Sequence, residues 1–174
     1  MMKQTMIKKL ASLHPCNEAV EWLKEQSSMK VAWETCERGD WMLWLLGKLS
    51  GKIGSKSRKQ LVWTSCQCAR LSLPYITKDE KRPLNTIETA EKYTKGNATL
   101  KEVKVAADAA YAASAAATAA AAAYAADAAA AYAAAIYAAY ADATDVDAKN
   151  KILKQCADIV RENYPKAPKL NKTK

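Results

Sequence analysis

The pair Cys66-Gln67-Cys68 is the first place where this chain could hold chemistry, because two nearby thiols can bind a metal. On a helix, residues two apart point about 200° away from each other. A zinc site also needs four ligands, usually Cys or His. His14 is the only histidine, and Cys16, Cys36 and Cys156 are dispersed, so no metal is expected. A cysteine nucleophile needs a base within hydrogen-bond reach. His14 and Cys16 are placed poorly for that across Pro15. The chain has no P-loop, no G-x-G-x-x-G and no G-x-S-x-G. The expectation is a protein that is not an enzyme and carries no cofactor.

Basic residues are the second candidate. The stretch "GKIGSKSRK" (51–59) gathers Lys52, Lys56, Arg58 and Lys59 in a Gly/Ser loop that runs into a helix start. Such an end offers open N–H groups and a favourable dipole to an anion. Arg70 lies between Ala69 and Leu71 in an otherwise apolar helix. A partly buried guanidinium needs a carboxylate or a ligand anion. Arg82 closes the mixed run "KDEKR" (78–82). These six bases form the candidate binding set. The formal net charge is +9, and Lys166, Lys169, Lys172 and Lys174 concentrate bases at the end of the sequence. That balance adds a sequence-independent attraction to phosphate. Five Trp in the first 63 residues could stack on bases. Trp41 and Trp44, however, sit inside an apolar run and read as core.

The elements that must position these groups all read as helices. The 174 residues include only five Gly, five Pro and no Phe, with abundant Ala. Pro15-Cys-Asn-Glu18 opens one helix, and a short one covers 31–38 with Gly39 as its stop. Asp40 then caps the apolar run to Leu46, which includes Trp41, Trp44 and Leu45. Val62, Cys66, Ala69 and Leu73 fall at i, i+4, i+7 and i+11 on a helix over 56–73 that Pro74 ends. Pro83 begins another, with Ile87 inward and Gly96 at its close, and Thr99-Leu-Lys-Glu102 is a capping box. The last helix, 148–163, carries Cys156 and Ile159 on one face. The cysteines read as buried, reduced thiols of a cytoplasmic protein.

From 106 to 148, 28 of 43 residues are Ala. Its five aspartates (108, 127, 142, 145 and 147) have no base within the tract, whereas residues 1–105 hold 19 bases against 11 acids. Ala has the highest helix propensity, and its small methyl allows close helix approach. The tract predicts one or two long helices, with a seam for another helix of the chain or for a second copy in a homodimer. Tyr and Asp interrupt it, so no apolar run reaches the roughly 20 residues a membrane span needs. No signal peptide is read in residues 1–13. The expected architecture is an all-α, compact multi-helix bundle. It comprises an N-terminal extension (1–13), one domain (14–165) and a basic mobile tail (166–174).

Several segments together carry a resemblance: "AWETCERGDWMLWLL" (32–46), "CQCARLSLPY" (66–75), "RPLNTIETAEKYTKGNATLKEV" (82–103), the Ala/Tyr/Asp tract, and "KQCADIVRENYP" (154–165). In this order they resemble the immunity-protein-five-like family of bacteria and tailed phages. The resemblance implies a binding protein that neutralises a protein toxin or conflict effector. It brings no established binding residues with it. Two other readings come from the charge. One is a phage counter-defence protein that sequesters a nucleotide or small anion at Arg70 and the 51–59 loop. The other is nucleic-acid binding through the basic face and tail.

Overall fold

The computed structural model describes residues 2–75, 79, 81–111 and 146–170. Within them the fold is all-α, with no strand. The helices are α1 (Met2–Ala11), α2 (Asn17–Glu25), α3 (Met29–Thr35), α4 (Gly39–Leu49), α5 (Lys56–Arg70), α6 (Arg82–Lys95), α7 (Leu100–Tyr111) and α8 (Val146–Asn163). A 3₁₀ turn, Leu73–Tyr75, follows α5. Of the alanine tract 106–148, the ends belong to α7 and α8, and the long helices expected between them lie on 112–145, outside the described residues.

Local signals account for several ends. Ser28 caps α3 by accepting from the Val31 N–H at 3.2 Å, and Ser55 caps α5 by accepting from the Arg58 N–H at 3.3 Å. Gly96 ends α6 with φ +84°, a conformation without a Cβ penalty only for Gly. At α7 the Glu102 carboxylate accepts from the Thr99 N–H (2.6 Å) while the Thr99 hydroxyl accepts from the Glu102 N–H (3.2 Å). Both orphan donors of the first turn are thereby satisfied.

The packing has two apolar clusters that share α5. Leu61 and Cys68 on one side of α5 join Trp33, Leu43, Leu46, Cys156 and Val160 of α3, α4 and α8. Val62, Cys66 and Ala69 on the other side join Ile87, Ala90 and Tyr93 of α6 and Val103 of α7. An α5 with two apolar faces is therefore the central helix, packed against α4, α6 and α8. Leu43, Leu61, Val62 and Ile87 are almost fully excluded from water. Each contributes on the order of 2 kcal/mol of burial.

Three boundaries differ from expectation. Gly39 does not stop a helix; it is the first residue of α4, and a Cβ there would strike Cys156 and the Ala157 N (2.6 Å) of α8, so the close approach requires glycine. Asp40 is not the cap of α4; it lies inside the first turn, held by Arg38. Helix α5 ends at Arg70, before Pro74. Residues 2–11, set apart above as an extension, form α1 and place Met6 and Leu10 in the core. Ala167 and Leu170, assigned above to the tail, pack against the same cluster, and the Lys9 ammonium donates to the Leu170 carbonyl at 3.1 Å.

Candidate functional site

The six candidate bases do not form one site. Lys56 and Lys59 lie on the outer side of α5, and Lys52 is exposed in the preceding loop. Arg58 is only 5% exposed and donates from Nε to the Gly51 carbonyl at 3.1 Å. Its burial pins the 50–55 loop and takes the guanidinium out of the surface. Arg70 stands at the other end of α5, roughly 21 Å along the axis from Lys56 at 1.5 Å per residue. Its carboxylate is already present: Nε and Nη2 donate to the two Glu91 oxygens at 2.8 and 2.9 Å. That bidentate bond raises the Arg70 pKa above its ordinary value. Arg82 is exposed at the start of α6.

What assembles around Lys56 and Lys59 is an open concavity of about 480 Å³ between α5 and α6. Gly54, Lys56, Lys59, Gln60, Trp63 and Thr94 line it. The α5 members are spaced i, i+3, i+4 and i+7, so one helix face presents them together. Above it the Lys95 ammonium lies 5.1 Å from the Trp63 ring centroid, and the Lys59 ammonium lies 5.4 Å from that of Tyr93. Such cation–ring contacts contribute about 0.5–1 kcal/mol each when exposed. The neutral lining groups are internally engaged. Gln60 donates to the Asn163 carbonyl at 3.0 Å, and the Thr94 hydroxyl donates to the Glu91 carbonyl at 2.7 Å. Among the described residues no carboxylate forms an ion pair with Lys52, Lys56, Lys59 or Lys95.

Trp63 and Lys95 were not among the residues singled out from sequence. Trp63 was visible as i+4 from Lys59 on the same helix. Lys95 was not, because only the docking of α6 on α5 brings it over the indole.

The thiols are sites of packing. Cys66 and Cys68 go to different clusters, and Cys36, Cys66, Cys68 and Cys156 are buried while Cys16 is exposed. Burial pushes the Cys36 thiol up to about 11. Cys66 is also raised, chiefly by burial, and Cys68 is raised first by its hydrogen bond with Cys156 and then by burial. Raised in this way, Cys36, Cys66 and Cys68 are held away from the thiolate form. No group of three or more His, Cys, Asp or Glu that could hold a metal occurs among the described residues. Of the other residues expected in the core, Leu45, Val62, Ala69 and Ile87 are buried, while Trp41, Trp44, Leu73 and Ile159 are partly so.

A second hollow, of about 50 Å³, is apolar and lies among Trp22, Trp33, Trp41 and Trp44 with Met29 and Met42. Its size admits about one or two waters. The Trp41 indole N–H is buried there without an acceptor among the described residues. Arg38 covers that ring at 4.3 Å. No described helix is long and apolar enough to cross a membrane.

A family model described as "Imm-5 like putative immunity protein" matches residues 51–165, which include the whole concavity. No curated protein and no solved structure matches the chain.

Proposed function

The chain belongs to the Imm-5-like immunity family, and from that premise we propose that it neutralises a toxin or effector of bacterial conflict by binding it, without catalysis. The observation that carries this reading is the matched region itself. Within 51–165, its outer α5–α6 surface presents lysines without an ion-pair partner among the described residues beside the partly buried Trp63, whereas its interior, Tyr93 included, is closed by apolar packing. Groups of that kind suit recognition of a macromolecular surface. The thiols nearest to them are buried and protonated, which suits a scaffold.

Nucleotide or small-anion capture is the weaker reading. It draws on Arg70, the 51–59 loop and the net +9, but Glu91 already supplies the carboxylate that the Arg70 guanidinium needs, and Arg58 of that stretch is buried. Nucleic-acid binding retains the net +9 as its support.

Co-expression tests the proposal. Cells carrying a conflict toxin and this protein should survive, and the two proteins should co-purify as a stoichiometric complex. Survival obtained without any complex, or failure to protect against every toxin of a broad panel, contradicts the proposal.

A further inference from the structure

We infer that the α5–α6 concavity is the docking point for an acidic segment of a protein partner, whose Asp or Glu side chains meet Lys56, Lys59 and Lys95. The inference rests on the immunity reading only for calling that partner a toxin or effector.

Charge is the first argument. The wall of the concavity contributes Lys56 and Lys59, Lys95 reaches over it, and no acidic side chain lines it. On the adjoining helix α6, Glu91 is taken by Arg70. Gln60 and Thr94 of the wall already donate within the protein. The ammonium groups are the charged donors offered to a ligand, and three neighbouring cations call for several carboxylates or phosphates.

The aromatic rings decide between those two. Proteins that bind single-stranded nucleic acid offer open ring faces on which bases stack. Here Tyr93 is buried, and Lys95 lies over the ring of Trp63. On that face of the indole a base could stack only after displacing the ammonium. A carboxylate needs no such displacement, because it approaches the ammonium from the solvent side. The rings also restrict the lysine side chains before binding, so less rotamer freedom is lost when a carboxylate arrives. A hollow of about 480 Å³ receives a few side chains. It therefore acts as a charged anchor within a larger interface of the usual size, roughly 800 Å² on each partner.

Fluorescence anisotropy on the full chain tests this with two labelled probes, a deca-glutamate peptide and a dT10 oligonucleotide, in about 20 mM salt. One variant combines Lys56→Ala, Lys59→Ala and Lys95→Ala. A control combines Lys8→Ala, Lys24→Ala and Lys30→Ala, which removes the same charge from α1, α2 and α3. Both variants should stay cooperatively folded, with melting temperatures within about 8 °C of the wild type. The peptide should bind the wild type, weaken about tenfold or more in the first variant, and change less than about twofold in the control. The inference is overturned by no peptide binding to the wild type or by equal weakening in both variants. It is also overturned if dT10 binds more tightly than the peptide through the same lysines. Toxin protection is read separately by cell survival. A protein that protects cells but fails the peptide test loses this site alone. One that binds the peptide through these lysines yet protects against no toxin loses the immunity reading alone.

Discussion

The region built by α3, α4 and α8 and the outer face of α5 and α6 use charge in opposite ways. In the first, charge closes the structure. Asp40 is 1% exposed, and both its oxygens are held by Arg38, at 2.9 Å from Nε and 2.6 Å from Nη2. Arg161 of α8 donates to the Cys36 carbonyl (2.7 Å) just beyond the end of α3 and to Asp158 (2.7 Å). The Trp33 indole donates to the Tyr164 carbonyl at 2.9 Å. In the second region the Lys59 and Lys95 ammonium groups rest over rings and form no ion pair among the described residues, where Glu91 is taken by Arg70. A matched buried charge holds helices in one arrangement, and removing its partner is costly. An unmatched surface charge adds little to folding and stays available. The two regions should therefore separate under mutation, the first losing stability and the second losing binding.

The largest effect expected on stability is in the first region. Gly39→Ala places a Cβ against the Cys156–Ala157 backbone, which neither helix can yield cheaply. Urea unfolding should show a loss of about 3 kcal/mol. Arg38→Met leaves the buried Asp40 carboxylate without its cation and should cost about 2 kcal/mol in the same assay. That is below the range for fully buried pairs, because Arg38 is itself 32% exposed.

The interior thiols add a pH dependence. Cys36 holds its proton up to about pH 11, against 9.0 ordinarily. Between those values the folded state keeps a proton that the unfolded chain releases. Its contribution is thus complete below about pH 9 and lost as pH rises to about 11. The expected loss is of order 1–2 kcal/mol. Urea midpoints measured from pH 8 to 11 should fall more steeply in the wild type than in Cys36→Ala.

Smaller effects belong to the second region. Arg70→Ala breaks a pair whose side chains are 37% and 14% exposed, and should cost about 1 kcal/mol. Lys59→Ala or Lys95→Ala each removes one cation–ring contact and should cost about 0.5–1 kcal/mol. A larger loss from either lysine than from Arg38→Met would erase the distinction between the two regions.

The parts of this fold that were legible in the sequence are those fixed by near neighbours. The Thr99–Glu102 box and the Gly96 terminus each close within one turn, so the residue types alone identify them. The stripe Val62, Cys66, Ala69 gives one face of α5 by spacing. Leu61 and Cys68 form a second apolar face that a single-stripe reading hides, and it makes α5 central. Gly39 looked like a helix stop because its function, room for Cys156, lies far away in the chain. Asp40 looked like a cap because the sequence does not show that Arg38 turns back on it. The candidate bases were found by type, but burial of Arg58, pairing of Arg70 and the approach of Lys95 to Trp63 are set by tertiary packing.

The central claim is that the lysines of α5 and α6 serve recognition and are dispensable for folding. Its most direct test is survival of toxin-challenged cells that express either the wild type or the variant lacking Lys56, Lys59 and Lys95, with melting temperatures measured in parallel. The account predicts lost protection by a variant that still melts cooperatively, within about 8 °C of the wild type. A variant that protects as fully as the wild type, or one that fails only because it no longer folds, would contradict it.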